Sequence, residues 1–132
     1  MAEHPNAQFQ RDAFDAMARG DTEWLDAHMH PDCVFHQGGR FPTAGTYVGR
    51  DAVFGHMLEF FALVDFSMKI AVHDIAATDD HAIALVRVSI DHKGRHLDFD
   101  EAHIWHIHDG RATEMWGVPK DPYEVDEFFA SA

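Results

Sequence analysis

The second half of the sequence consists of four β-rich runs that are separated by three short turn pairs. The turn pairs are Asp79-Asp80, Lys93-Gly94 and Asp109-Gly110. Turns of two residues join neighbouring antiparallel strands and leave no room for a helix between them. The spacing therefore predicts a meander of four strands over Phe66–Ala77, His81–Asp91, Arg95–His108 and Arg111–Val118.

The first half of the sequence is mainly helical in its apolar spacing. Apolar residues recur every three or four positions in three segments, and a fourth such segment closes the chain. Between the second and third lies a short β-rich run, Cys33–Gln37, followed by a loop to about Gly49. The expected helices are Gln8–Arg19, Thr22–Met29, Asp51–Val64 and Tyr123–Ala130. This order predicts an α+β fold, with helices on a curved, mostly antiparallel sheet, in a single domain spanning residues 1–132.

The charge balance excludes several classes of partner. The chain has 10 Lys and Arg against 23 Asp and Glu, which gives a net charge of −13. A field of this sign repels nucleic acid and anionic membrane surfaces. The longest apolar run, residues 58–66, is interrupted by Glu59 and Asp65 and is too short to cross a bilayer. We therefore expect no nucleic-acid or membrane partner.

Because Cys33 is the single cysteine and no signal-peptide pattern is present, we expect a cytoplasmic protein.

The most informative segment for chemistry is the expected strand Arg95–His108. Side chains alternate between the two faces of a strand, so Glu101, His103 and Trp105 share one face. A carboxylate and an imidazole among apolar neighbours form a candidate base and its orienting partner. The alternative is a hydrogen-bonded core pair with a purely structural role.

A second candidate is His36, at the end of the expected early strand. It lies beside Gln37 and the Gly38-Gly39 pair, where a polar side chain is expected to look into a cavity. Phe41, Pro42 and Tyr47 of the following loop are then expected to cover that cavity. The alternative is a histidine that is hydrogen-bonded or solvated at a strand end.

The sequence does not predict a metal site or a cysteine nucleophile. His28 and His30, like His106 and His108, are two residues apart, but close pairs arise by chance among twelve histidines. The chain has no His-Glu-x-x-His segment, and one cysteine cannot form a thiolate cluster. Cys33 lies on an expected strand and is interpreted as a small buried side chain. We expect no metal and no cofactor.

Several motifs resemble one protein family. These are the first helix ending at Gly20-Asp21, PDCVFH (31–36), AGTYVGRDAV (44–53), HIWHI (103–107), DGRATEMW (109–116) and the Pro119-x-Asp121-x-Tyr123 ending. Together they resemble the SnoaL-like, ketosteroid-isomerase-like branch of the NTF2-like superfamily, over nearly the whole chain. The resemblance implies a cone in which a strongly bent sheet wraps around a helix and leaves an apolar pocket open at one end. This fold is shared by enzymes and by binding modules, so it does not itself specify a function.

The resemblance also implies roles for particular residues. His103 falls where steroid isomerases keep a protonated aspartic acid, and their aspartate base aligns at or next to His36 and Gln37. Their tyrosine donor aligns near Ala13, so steroid isomerisation itself is not expected. His36 is then the candidate base and His103 the candidate donor, assisted by Glu101. Asp121 resembles the acid/base aspartate position of some polyketide cyclases.

The same alignment divides the sheet into two faces. The expected substrate-binding residues are Phe14, Gln37, Tyr47, Phe61, Ala84, Val86, Trp105, Met115 and Gly117. Glu114 and Trp116 are placed on the outer face, which commonly forms a homodimer in this superfamily.

These observations predict a cofactor-free pocket protein that binds an apolar small molecule. Its chemistry would be isomerisation, cyclisation, hydration or hydrolysis by acid/base catalysis. The alternative is a non-catalytic ligand-binding or dimeric assembly module in which aromatic side chains fill the cone.

Overall fold

A computed structural model describes residues 3–130 of the chain, so the first two and last two residues of the expected domain lie outside the described part. It contains four helices and six strands in these residues. The helices are α1 (Pro5–Arg19), α2 (Thr22–His28), α3 (Arg50–Leu63) and α4 (Pro122–Ala130). The strands are β1 (Met29–Gln37), β2 (Gly45–Val48), β3 (Lys69–Ala77), β4 (His81–His92), β5 (Arg95–His108) and β6 (Arg111–Pro119). The α+β class is confirmed.

The six strands form one curved, unclosed sheet in the order β2-β1-β6-β5-β4-β3. The expected meander is confirmed: β3, β4, β5 and β6 pair in sequence order, each antiparallel to the next. β1 joins β6 in parallel and pairs with β2 in antiparallel fashion. The early strand therefore extends the meander at its β6 edge, which brings the end of β1 beside Trp116 and Gly117, near the end of β6.

Among the strands, β1, β2 and β3 differ most from the expected ranges, whereas the other elements differ by at most three residues at their ends. β1 begins at Met29 and includes Pro31, because its pairing with β6 is irregular between Met29 and Val34. β2 lies in the segment expected to be a loop, where four residues are too few to show an alternating pattern. β3 begins at Lys69, since Asp65 and Phe66 adopt left-handed backbone conformations (φ 53° and 56°) that separate it from α3.

The two N-terminal helices are bounded by local caps. His4 Nδ1 accepts a hydrogen bond from the Asn6 N–H at 3.0 Å at the start of α1. Gly20 ends the helix in a left-handed conformation (φ 69°), which glycine adopts without steric cost. Asp21 then caps α2 by accepting from the Trp24 N–H at 3.0 Å. The short Gly20-Asp21 connection thus fixes α2 directly beside α1.

The core lies between the concave face of the sheet and the helices α1 and α3. Ala13 and Phe14 of α1 are buried with alternate residues of β4, such as Val86 and Val88, whereas α3, with its buried Val53, packs on β1 and β2. No helix within residues 3–130 combines the length and the hydropathy needed to span a membrane.

Candidate functional site

The inner face of β5 carries Glu101, His103 and Trp105, as its alternation predicts. β4 runs alongside with Val86 opposite Glu101 and Ala84 opposite His103. Residues directly opposite each other in an antiparallel pair point to the same face of the sheet. Ala84 and Val86 are accordingly buried on the inner face, beneath the two polar side chains.

Glu101 and His103 are in direct contact. His103 Nε2 lies 2.7 Å from Glu101 Oε1, and the two side chains are only 11% and 8% exposed. Although close, this contact does not have the geometry of a well-formed hydrogen bond. Phe14 of α1 presses edge-on against the imidazole, with ring centroids 5.5 Å apart. The pair is therefore enclosed by apolar groups, yet Nε2 keeps hydrogen-bonding capacity for another group.

The second carboxylate oxygen is held by Gln37 of β1. Gln37 Nε2 donates to Glu101 Oε2 at 3.1 Å and lies 3.4 Å from the carbonyl oxygen of Gly117. A Cβ atom at position 117 would stand 2.8 Å from Gln37 Oε1. Glycine at position 117 thus leaves room for the Gln37 amide, and Gln37 in turn fixes the orientation of Glu101.

His56 of α3 is a site residue that the sequence interpretation missed. It is 6% exposed and stacks on Tyr47 with ring centroids 4.3 Å apart. Burial lowers the pKa of His56 to about 4, and the nearby Glu101 charge opposes that shift only in part. His56 is therefore neutral near pH 7, and its Nδ1 has no hydrogen-bond partner among residues 3–130. The sequence signal that could have identified His56 is its helical spacing. It lies three residues after Val53 and four before Phe60, on the apolar face of α3.

The depressed pKa of His56 makes stability depend on pH. Between its ordinary pKa near 6.5 and the folded value of about 4, the unfolded chain binds a proton that the folded chain does not. Acidification across this window should lower the free energy of unfolding, with a slope of at most about 1.4 kcal/mol per pH unit for this group. His56→Gln should remove this contribution, as measured by urea unfolding at several pH values. His108→Gln, whose side chain is 77% exposed, is the control and should retain the full dependence.

The polar groups meet at one cavity, which we call the inner cavity. It has a volume of about 90 Å³, and Gln37, His56, Glu101 and His103 are its polar lining residues. The rest of its wall is formed by aromatic, methionine and aliphatic side chains. Of the expected apolar substrate-binding residues, the structure brings Phe14, Phe61, Trp105 and Met115 to this wall.

Four other expected substrate-binding residues do not line the inner cavity but are neighbours of residues that do. Tyr47 packs behind His56, and its hydroxyl donates to the Thr43 carbonyl at 2.8 Å. Gly117 lies behind Gln37, and Ala84 and Val86 support the β5 pair from β4. These residues shape the site without lining the inner cavity.

The expected position of His36 is wrong. His36 lies on the outer face of the sheet, where Nε2 is 2.7 Å from Glu114 Oε2 and Nδ1 is 3.0 Å from Thr46 Oγ1. Its ring stacks on Trp116, its register partner on β6. Because Gln37 points into the cone, its neighbour His36 must point out. His36 and His103 therefore do not share a cavity, and His36 has no access to a ligand held there.

Asp121 is also placed away from the inner cavity. It is exposed at the start of α4, where its Oδ1 accepts from the N–H groups of Tyr123 and Glu124 at 3.1 and 3.3 Å. This is the geometry of a helix N-cap. The expected acid/base position of Asp121 is therefore corrected to a structural one.

Glu114 and Trp116 lie on the outer face, as expected. Three aliphatic side chains are partly exposed there: Ile83 (40%), Leu85 (48%) and Val118 (44%). The homodimer expected through this face stays a prediction. Within residues 3–130, no group of three or more His, Cys, Asp or Glu side chains is arranged to hold a metal ion.

Comparisons with known proteins agree on the fold. A family model described as SnoaL-like domain matches residues 11–115. An uncharacterised protein of Mycobacterium tuberculosis, Rv0034, is 29% identical over 131 residues, which is 98% of this chain and all of that protein. Bal32a, from a soil-derived mobile gene cassette, superposes with a TM-score of 0.89 at 25% identity, over 94% of this chain and 95% of its own. TerC, co-crystallised with polyporic acid, superposes with a TM-score of 0.84 at 20% identity, over 97% of this chain and 100% of its own.

Proposed function

Because the chain belongs to the SnoaL-like domain family, we propose that it is a small-molecule pocket protein in which Glu101 and His103 perform acid/base chemistry on an apolar ligand. The observation that carries this proposal is the contact between the two side chains. Nε2 and Oε1 are 2.7 Å apart at the wall of the inner cavity, and Nε2 makes no well-formed hydrogen bond. A polar atom that is buried without a hydrogen bond is costly, and a ligand oxygen beside Nε2 would remove that cost.

The proposed chemistry is proton transfer at a carbonyl-containing ligand. In its protonated form, His103 donates a proton from Nε2 to the ligand oxygen as negative charge develops there and becomes neutral, while the Glu101 carboxylate accepts the proton released from the carbon next to the carbonyl group. Gln37 keeps the carboxylate oriented through its 3.1 Å hydrogen bond. His56, which is neutral because of its low pKa, offers a further hydrogen bond from the α3 wall without introducing a charge. Isomerisation, cyclisation and hydration all use such proton transfers.

The apolar wall indicates the kind of ligand. Apart from its four polar side chains, the inner cavity is lined by aromatic, methionine and aliphatic groups. Pockets of this composition bind apolar molecules and use the few polar groups to orient them. TerC, a neighbour in fold, was crystallised with polyporic acid, which is in keeping with an apolar ligand that carries oxygen.

The second candidate function is a non-catalytic binding or assembly module. The size of the inner cavity favours it, because about 90 Å³ is below the roughly 300–1,000 Å³ of usual ligand pockets. In this case the Glu101–His103 pair would serve only to fix the packing of β5.

Exchange of ketone α-protons for deuterium distinguishes these two functions. Apolar cyclic ketones such as cyclohexanone are incubated with the protein in deuterated buffer, and loss of the α-proton signal is followed by NMR. We expect the protein to accelerate exchange, and expect Glu101→Gln and His103→Gln to reduce the acceleration by about 10²–10⁴-fold. Thermal unfolding of each variant checks that it folds.

His36→Gln is the matched control for this experiment. His36 also lies 2.7 Å from a glutamate, but on the outer face, so its replacement should leave the exchange rate unchanged. Ketones that bind without accelerated exchange, or equal rates in the His103→Gln and His36→Gln variants, would reject the acid/base proposal in favour of the binding module.

A further inference from the structure

A second, larger space adjoins the inner cavity. It is an open cleft of about 1170 Å³ between α1, α3 and β3, which we call the outer cleft. The two spaces share six lining residues: Phe14, Met17, Met57, Phe61, Met68 and Ile70. Three of the six are methionines, whose flexible side chains move readily between packing arrangements. The inner cavity and the outer cleft therefore lie on either side of a shared boundary that is rich in flexible side chains.

The mouth of the outer cleft exposes apolar side chains. Leu58 is 63% exposed and Phe66 is 72% exposed, and both line the cleft. Phe66 and its neighbour Asp65 have positive φ angles, which are costly for side chains of this kind. Ser67 holds this turn, because its Oγ accepts from the Asp91 N–H at 2.8 Å. An exposed aromatic side chain on a strained backbone segment is typical of a binding surface.

The charge at the outer cleft differs from that of the chain. Its lining includes Arg11, Arg19 and Lys69 but a single acidic residue, Asp15, in a protein with more than twice as many acidic as basic residues. Arg11 is paired with Glu3 and Arg19 with Asp21, each at 2.9 Å. Lys69 is exposed and forms no ion pair with any of residues 3–130. A free ammonium group therefore stands at the β3 rim of an apolar cleft.

We infer that the inner cavity and the outer cleft together bind one elongated apolar acid. Its oxygen-bearing inner end contacts Glu101 and His103, its apolar body crosses the methionine boundary, and its carboxylate lies at the mouth beside Lys69. The inner end of this assignment rests on the proposed function. The outer end rests separately on the shared boundary of the two spaces, the exposed Leu58 and Phe66, and the free charge of Lys69.

Calorimetric titration with linear carboxylates and alcohols tests the outer end. Octanoate and decanoate are compared with octanol and decanol, all below the concentrations at which they form micelles. Binding should tighten with chain length, by up to about fourfold for each methylene that becomes buried. The carboxylates should bind about 2–5-fold more tightly than the alcohols, the range expected for a solvent-exposed ion pair.

Two variants and a control assign the effect to the outer cleft. Lys69→Gln should abolish the preference for carboxylate, and Phe66→Ala should weaken binding of the longer chains. Lys93→Gln removes an exposed lysine at the remote β4–β5 turn and should change neither. Equal affinities for acid and alcohol, or equal effects of Lys69→Gln and Lys93→Gln, would overturn the anionic outer end. Affinity independent of chain length would show that the outer cleft is not occupied.

The outcome is separable from that of the acid/base proposal. If the carboxylate preference depends on Lys69 while Glu101→Gln and His103→Gln leave ketone exchange unchanged, the cleft assignment holds and the acid/base proposal fails. If ketone exchange depends on the pair while chain length and Lys69 have no effect, the reverse applies.

Discussion

His103→Leu alone is expected to lower the free energy of unfolding by about 3–5 kcal/mol, whereas Glu101→Leu combined with His103→Leu is expected to be neutral or stabilising by up to about 4 kcal/mol. The single replacement leaves the Glu101 carboxylate buried without the imidazole that it contacts. The double replacement removes the carboxylate and the imidazole together, which leaves Gln37 and His56 as the polar side chains of a mostly apolar wall. The free energy lost when a buried charged pair is removed from water is often as large as the free energy gained from the attraction between the two groups.

This comparison shows whether the pair exists for stability or for chemistry. Urea unfolding at neutral pH gives the four free energies of a double-mutant cycle, provided that the dependence on urea concentration is unchanged. His36→Leu is the control. The side chains of His36 and Glu114 are 31% and 37% exposed, so their contact should contribute no more than about 1 kcal/mol to the free energy of unfolding. A double variant as unstable as His103→Leu would mean that the pair is a required part of the core, in favour of the non-catalytic function.

Phe14→Ala is expected to cost about 3–5 kcal/mol of stability. Phe14 is 7% exposed, and its ring packs within 5.5 Å of the His103 ring and 5.6 Å of the Trp105 ring, measured between centroids. Its removal deletes the aromatic contacts of α1 with His103 and Trp105 and joins a new void to the inner cavity. Phe14→Leu, which keeps most of the apolar volume, should cost only about 1 kcal/mol.

Added benzene should restore part of the stability lost in Phe14→Ala. Enlarged apolar cavities bind benzene, and a ligand at 100 times its dissociation constant stabilises the folded state by about 2.7 kcal/mol. Thermal or urea unfolding with and without benzene measures this effect. Equal losses for the alanine and leucine variants, without rescue, would mean that Phe14 does not pack tightly against β5.

The parts of the fold that were predictable are those with strong local signals. The turn pairs Lys93-Gly94 and Asp109-Gly110 define the hairpins on either side of β5, and the long alternation within β5 places Glu101 and His103 on one face. β2 was not predictable, because it is a short edge strand whose pairing with β1 depends on residues 8 to 14 positions away.

The candidate site was predictable only where the strand pattern was long enough to fix its register. β1 ends in the polar residues His36 and Gln37, and a shift of one residue exchanges the inward and outward side chains. The sequence therefore pointed to His36 where the structure has Gln37. His56 was overlooked because a polar residue on an apolar helix stripe shows its role only when its surroundings are known, here Tyr47 and Glu101.

A crystal structure of the protein soaked with phenol tests the acid/base cavity most directly. Phenol combines an apolar ring with one oxygen, as the proposed ligand does at its inner end. We expect its ring among the apolar residues of the inner cavity and its hydroxyl oxygen within about 3.2 Å of His103 Nε2 or a Glu101 oxygen. An inner cavity filled by the protein's own side chains, or phenol bound only on the outer face of the sheet, would contradict the proposed function.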